Sequence, residues 1–107
     1  MATVMAMRWE GVSPEQYEAV IDNLGLDDEP PSGGLFHIAG FDGGALRVID
    51  VWDSQEAFEG FMGERLQSAV QEAGLPGEPQ VEYYELHNVW APARAQELIQ
   101  QGARSTA

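Results

Sequence analysis

Four polar side chains on predicted strands could carry chemistry in this chain of 107 residues: His37, Arg47, Asp50 and His87. Asp50 is the most unusual of them, because the apolar strand pattern around it, "RVIDVW", is typical of a buried element. A carboxylate and an imidazole that share a pocket are suited to general acid and base catalysis. We therefore predict that the catalytic residues are Asp50, His37 and His87.

The predicted pocket has aromatic walls. Side chains alternate along a strand, so Val48, Asp50 and Trp52 lie on one face. If that face lies beneath the helices, the pocket is apolar and holds few polar groups, as is typical of a small-molecule site. We predict substrate contacts from Trp52, Trp9, Tyr17, Phe58, Phe61 and Arg47.

Structural roles are the main alternative for the same residues. Asp50 could form an internal pair with Arg47 or His37, because buried carboxylates are usually paired. The aromatic side chains could simply form the core. The histidines could bond to backbone groups or lie at a dimer interface. A metal site built from His37, His87 and Asp50 has no supporting sequence spacing, so we predict neither a metal nor a cofactor.

Composition excludes several classes of function. The net charge is −13, which makes nucleic acid an unfavourable partner. The five basic residues include no lysine, so Schiff-base chemistry and a P-loop lysine are excluded. There are no cysteines. We expect a cytoplasmic protein, because the N-terminus does not resemble a signal peptide and no apolar run is long enough to span a membrane.

Helix and turn signals divide the chain into six main elements. Ser13, Pro14 and Gln16 form a helix start with a capping box, and Gly25 is a natural helix end. Asp53 or Ser54 caps a second helix. Strands are predicted over residues 3–9, 35–41, 45–52 and 79–90, the middle two joined by the hairpin signal "DGG". For Gly60 and Gly63, inside the second helix, we favour close packing over room for a ligand.

The order of elements predicts an α+β, ferredoxin-like β-α-β-β-α-β fold with a four-stranded antiparallel sheet. Both helices would cover one face of that sheet, and the apolar residues of the other face need a cover. We predict a homodimer that packs sheet to sheet. Residues 1–91 are the predicted domain, and residues 92–107 a short helix and a frayed tail.

Three stretches carry a resemblance to a known family: "FHIAGFDGG", "LRVIDVWDSQEAFEGFMGERL" and "PQVEYYELHNVW". Over residues 3–91 the chain resembles small actinobacterial proteins of the dimeric α/β-barrel superfamily, called antibiotic biosynthesis monooxygenase-like. In the oxygenase branch a tryptophan on the third strand lines the substrate cavity, which implies this role for Trp52. That branch also uses an upstream asparagine, and here Asp50 and Val48 stand on that face. The haem-degrading branch uses a helical histidine, and neither histidine lies on a predicted helix.

These observations predict a small cofactor-independent enzyme acting on an aromatic or polyketide-like metabolite. Asp50 and His37 would act as acid and base. The reaction could be an oxygenation, or an isomerisation, cyclisation or lyase reaction that uses the same proton transfer. The alternative is a non-catalytic ligand-binding or structural dimer, whose pocket would be filled by its own side chains.

Overall fold

The computed structural model describes residues 1–99 and contains a four-stranded antiparallel sheet with helices on one side. The strands are β1 (Thr3–Glu10), β2 (Gly34–Asp42), β3 (Ala45–Trp52) and β4 (Gln80–Glu85). They lie side by side in the order β2-β3-β1-β4. This confirms the ferredoxin-like α+β arrangement.

The first helix, α1 (Pro14–Leu24), begins and ends where the sequence predicts. The Ser13 hydroxyl accepts a hydrogen bond from the Gln16 backbone, and the Gln16 side chain accepts one from the Ser13 N–H, which completes the capping box. Gly25 ends the helix in the left-handed conformation, with φ of 61°. These contacts fix where α1 starts and which of its side chains face the sheet.

The second helical region is interrupted by a π-helical segment. It consists of α2 (Gln55–Phe61), the π-helical residues Met62–Leu66, and α3 (Gln67–Ala73). Ser54 is the cap, because its hydroxyl accepts a hydrogen bond from the Ala57 N–H. The prediction that Gly60 and Gly63 allow close packing is wrong, because a Cβ at either position would meet no neighbouring atom within 4 Å.

The hairpin between β2 and β3 confirms the "DGG" signal. Asp42 pairs with Ala45 at its end, and the two residues between them, Gly43 and Gly44, have φ of 55° and 92°. Positive φ at both central positions is the geometry of the tight hairpin turn that matches strand twist. The turn sets the register that later places His37 opposite Asp50.

Strand β4 is shorter than the predicted strand over residues 79–90. Its pairing with β1 runs from Gln80 opposite Arg8 to Glu85 opposite Thr3. One further bond joins the Leu86 N–H to the Ala2 carbonyl. Residues 86–90 belong to no strand, so the chain leaves the sheet there. A 3₁₀ turn, Ala93–Glu97, is the last described element, and the predicted frayed tail, residues 102–107, lies outside the described residues.

The hydrophobic core lies between the sheet and the helices. Its buried members come from β1, β3, α2 and the segment before α1: Met5, Met7, Trp9, Val12, Leu46, Val48, Trp52 and Phe58. No helix in the described part of the chain is long and apolar enough to cross a membrane.

Candidate functional site

Asp50 lies on the helix side of the sheet, on the same face as the core. It is the one buried charged or polar residue among those described, with 7% of its surface exposed. Register places Asp50 opposite Met5 on β1 and opposite His37 on β2. The strand-alternation argument is therefore confirmed for the direction of Asp50, and a carboxylate does enter the core.

Both carboxylate oxygens of Asp50 have a hydrogen-bond partner. Oδ1 lies 2.6 Å from His37 Nδ1, and Oδ2 accepts a 3.1 Å hydrogen bond from Trp52 Nε1. A buried carboxylate needs such partners to remain ionised at low free-energy cost. Among the two partners proposed from the sequence for Asp50, the structure selects His37.

The imidazole of His37 is held from its other side by Tyr17. The Tyr17 hydroxyl lies 2.7 Å from His37 Nε2, and the two ring planes are within 3° of each other. Burial, with smaller contributions from the charges of Glu18 and Asp50, raises the pKa of Tyr17 to about 12. The phenol therefore keeps its proton throughout the neutral range.

The members of this hydrogen-bonded chain come from β3, β2 and α1, and local structure explains part of their arrangement. Trp52 and Asp50 are two residues apart on β3, so they share a face. His37 reaches them through the β2–β3 register. Tyr17 lies one turn into α1, where the capping box fixes the helix start. We call these four residues, Trp52, Asp50, His37 and Tyr17, the polar relay.

The predicted aromatic walls pack against each other. The ring centroid of Trp52 lies 5.4 Å from that of Phe58 and 5.3 Å from that of Phe61. Phe58 also contacts Tyr83 of β4, at 6.2 Å between centroids. Trp9 is buried at the other end of β1, and its Nε1 donates to the Pro76 carbonyl. These aromatic residues belong to the core, as the alternative interpretation of the sequence held.

Two of the predicted site residues lie elsewhere. Arg47 follows the opposite alternation to Asp50, so it lies on the open face of the sheet, where its Nη1 contacts Asp42 at 3.2 Å. The alternative pairing of Arg47 with Asp50 is therefore not formed, and its predicted contact with a substrate stays a prediction. His87 lies beyond the end of β4 and is exposed. Within residues 1–99 no three acidic, histidine or cysteine side chains converge as a metal site would need, so the set with His87 is not formed.

Surface cavities of about 430 Å³ and 230 Å³ are lined by residues outside the polar relay. The larger, of about 430 Å³, lies on the open face between β2, β3, β1 and β4, and includes Ile38, Arg47, Ile49 and Glu82 in its lining. The smaller, of about 230 Å³, lies near Arg8 and Pro76.

The accessible end of the polar relay lies along β2. β2 is an edge strand and all its residues are exposed, although Tyr17 of α1 contacts two of them. On its helix-facing side stand His37, Ala39 and Phe41, opposite Asp50, Val48 and Leu46. We call these three residues the β2 shelf. The ring of Tyr17 meets that of Phe41 edge to face, at 6.3 Å between centroids. The side chain of His37 is 42% exposed, so solvent reaches this end of the relay.

Sequence reasoning did not identify two of the hydrogen bonds in the relay. The Trp52–Asp50 bond had a readable signal, because same-face residues two apart on a strand are close neighbours. The Tyr17–His37 bond had none, because it depends on how α1 crosses the sheet. Tyr17 was predicted as a substrate contact and is in fact also the hydrogen-bond partner of a catalytic candidate.

Comparison with known proteins identifies solved structures that share the fold of this chain. No family model matches the chain, and no curated protein does. Solved structures do match. SnoaB, a cofactor-independent oxygenase from Streptomyces nogalater, is 13% identical, with a TM-score of 0.61 over 82% of this chain and 95% of its own.

Two further solved structures share this likeness. A protein from Caulobacter crescentus CB15, provisionally called an antibiotic biosynthesis monooxygenase, is 16% identical, with a TM-score of 0.61 over 81% of this chain and 91% of its own. A dimeric ferredoxin-like protein of unknown function from Thermobifida fusca YX is 16% identical, with a TM-score of 0.59 over 80% of this chain and 92% of its own. The chain thus has the ferredoxin-like fold of antibiotic biosynthesis monooxygenase-like proteins.

Proposed function

We propose that this protein is a small cofactor-independent enzyme that acts on an aromatic or polyketide-like metabolite by acid and base catalysis. The observation that carries the proposal is the 2.6 Å contact between the buried Asp50 carboxylate and His37 Nδ1. A carboxylate in this position orients an imidazole and stabilises its protonated form, as in the carboxylate–histidine pairs of many enzymes.

The pair defines which atom receives the proton. Asp50 accepts from the protonated Nδ1, so Nε2 of neutral His37 carries the free electron pair. A substrate O–H or C–H bond breaks, the proton it loses is balanced by one gained at Nε2, where the Tyr17 hydroxyl lies 2.7 Å away, and the electron pair stays on the substrate. The imidazolium is held beside the ionised Asp50. Oxygenation, isomerisation, cyclisation and elimination can each begin with this step.

Similarity to SnoaB supports this proposal at the level of fold, since that protein is a cofactor-independent oxygenase. The site residues themselves are the stronger support. Within the described chain, Asp50 is a buried charge whose cost must be offset, and it is paired with a half-exposed histidine that can exchange protons with a ligand.

The proposal is tested by proton transfer from a simple aromatic ketone. Incorporation of deuterium at C1 of 2-tetralone in D₂O is followed by NMR, with and without the protein. Asp50→Asn should lower the catalysed rate on the order of 100-fold, because the imidazolium loses its counter-charge. Asp42→Asn is the matched control, since it removes the same charge from an exposed pair on the other face. Equal rates for wild type and Asp50→Asn, or no catalysis by wild type, would contradict the proposal.

A non-catalytic role as a ligand-binding or structural dimer is the second candidate. The observation that favours it is the tight packing of Trp52 against Phe58 and Phe61, which fills the space between the sheet and the helices. Under this alternative the same assay shows no catalysed exchange, and Asp50→Asn changes only the free energy of unfolding.

We also propose that the protein forms a homodimer through the open face of the sheet. Ile49 lies on a central strand, yet 38% of its surface is exposed, and Ile38 and Tyr84 on the same face are 55% and 51% exposed. Central strands that expose apolar side chains require a cover. The Thermobifida fusca protein is dimeric. A cytoplasmic location, and the absence of nucleic acid, membrane, metal and cofactor partners, stay predictions from the sequence.

A further inference from the structure

With Asp50 as a carboxylate and His37 as a neutral imidazole, the direction of each hydrogen bond in the polar relay follows from its donor and acceptor atoms. The indole of Trp52 can only donate, and the ionised carboxylate of Asp50 can only accept. Nδ1 of His37 therefore donates to Asp50, which leaves Nε2 of the neutral ring as an acceptor. The hydroxyl of Tyr17 fills that position by donating its proton to Nε2. With this tautomer, the exposed end of the relay presents a phenol oxygen whose proton is already donated to His37.

A phenol that has donated its only proton retains the acceptor capacity of its oxygen. We infer that Tyr17 is the residue that contacts the substrate, and that its oxygen accepts a hydrogen bond from a neutral, flat, hydroxyl-bearing molecule. This inference rests on the proposed function and adds to it the contacting atom and the class of ligand. It moves Tyr17 from the aromatic wall to the end of the proton path.

Charge around the relay selects against anionic ligands. Burial raises the pKa of Tyr17 most, and the negative charges of Glu18 and Asp50 raise it further, so the protonated phenol is stabilised. The whole chain carries a net charge of −13. Arg8 and Arg47 are engaged with acidic side chains on the opposite face of the sheet, and Arg65 donates to the Leu24 carbonyl. A carboxylate or phenolate would meet a negative potential and an acceptor, so the neutral acid is favoured.

Shape favours an aromatic ligand. The β2 shelf presents the exposed faces of His37 and Phe41 beside Tyr17, and Ala39 between them is small. Flat rings pack on such surfaces by stacking or edge-to-face contact. A ligand ring would pack beside Tyr17, whose own ring already contacts both His37 and Phe41, with the ligand hydroxyl directed toward the oxygen of Tyr17.

The hydrogen bonds also form a path for proton transfer along which the protons and charges balance. The ligand O–H breaks and its proton bonds to the Tyr17 oxygen, while the original Tyr17 proton moves to His37 Nε2. The ligand becomes an anion, His37 becomes an imidazolium beside Asp50, and Tyr17 remains a neutral phenol. No oxidant or reductant takes part.

Binding of three matched naphthalenes tests the inference without requiring turnover. The probes are 2-naphthol, which donates a hydrogen bond, 2-methoxynaphthalene, which cannot, and 2-naphthoate, which is an anion. Each is titrated into the full chain and followed by ¹H–¹⁵N NMR shifts at the β2 shelf. We expect 2-naphthol to bind about 5-fold more tightly than 2-methoxynaphthalene, as one hydrogen bond typically provides, and 2-naphthoate to bind most weakly.

Tyr17→Phe keeps the ring and removes the acceptor, so the preference for 2-naphthol should disappear. Tyr84→Phe is the matched control, because it removes an exposed hydroxyl from the other face and should keep the preference. The inference is overturned if Tyr17→Phe keeps the preference, if 2-naphthoate binds as tightly as 2-naphthol, or if none of the probes binds. A preference that depends on Tyr17 without catalysed exchange of 2-tetralone would keep this inference and refute the proposed enzyme.

Discussion

The two buried tryptophans allow the hydrogen bond inside the polar relay to be measured. Trp52 and Trp9 are 4% and 6% exposed, and each donates one hydrogen bond through Nε1. The acceptors differ in charge: Trp52 donates to the Asp50 carboxylate, and Trp9 to the carbonyl of Pro76. Replacing each by phenylalanine removes the donor and leaves an aromatic ring in the core.

The expected cost has two parts. Loss of buried surface and the resulting cavity should cost about 1–2 kcal/mol at either position, because the same atoms are removed from similarly buried sites. A hydrogen bond to a charged group contributes about 1.5–3 kcal/mol, against about 0.5–1.5 kcal/mol for a neutral acceptor. Trp52→Phe should therefore lower the free energy of unfolding by about 1 kcal/mol more than Trp9→Phe.

Urea unfolding followed by far-ultraviolet circular dichroism measures this difference without relying on tryptophan fluorescence. Protomer concentration is held constant, because a dimer's stability depends on it. Equal m-values show that the variants expose similar surface on unfolding. If the two variants lose equal free energy, or Trp9→Phe loses more, Asp50 does not depend on Trp52 and the argument for a supported carboxylate fails.

Three further predictions concern the open face of the sheet, the second helical region and the end of α1. Ile49→Glu should convert the proposed dimer to a monomer in light scattering at micromolar concentration, because it places a charge in the apolar open face. Gln71→Glu, at an exposed position of α3, should leave the oligomeric state unchanged, and a wild-type monomer would refute the proposed dimer. Gly60→Ala should raise the free energy of unfolding by about 0.5–1 kcal/mol, because the position is helical and its Cβ meets no atom within 4 Å. Gly25→Ala, at φ of 61°, should lower it, and a stabilised Gly25→Ala would contradict the backbone argument.

The elements of the fold were predictable because their signals are local. Ser13, Gln16 and Gly25 mark the ends of α1 by hydrogen bonds within a few residues, and "DGG" marks the hairpin by its positive φ angles. The extent of β4 was not predictable from its own sequence. The apolar alternation continues to Trp90, but the pairing with β1 ends at Glu85 opposite Thr3, with one further bond from the Leu86 N–H, and the extent of a partner strand is not encoded in the sequence of β4.

The candidate site, like the fold, has features that local sequence patterns predict and features that they do not. The direction of Asp50 follows from strand alternation, and the same rule, applied to Arg47, places that side chain on the other face. The Asp50–His37 pair was one of the predicted alternatives. The position of Tyr17 against His37 depends on the packing of α1, which no local pattern encodes. The π-helical segment has no sequence signal that we can identify.

The side-chain hydrogen bonds of α1 connect it to the second helical region more than to the sheet. Gln16 Nε2 donates to the Gly74 carbonyl, Asn23 Nδ2 to the Ala69 carbonyl, and Arg65 reaches the Leu24 carbonyl at 2.7 Å. Toward the sheet, α1 makes the Tyr17–His37 bond. Side-chain hydrogen bonds thus join the helices to one another, and the Tyr17 hydroxyl joins α1 to β2. Loss of the Tyr17 hydroxyl would therefore remove the side-chain hydrogen bond between α1 and β2, worth about 1 kcal/mol, whereas the packing of Tyr17 and of the helices against the core would hold α1 in place.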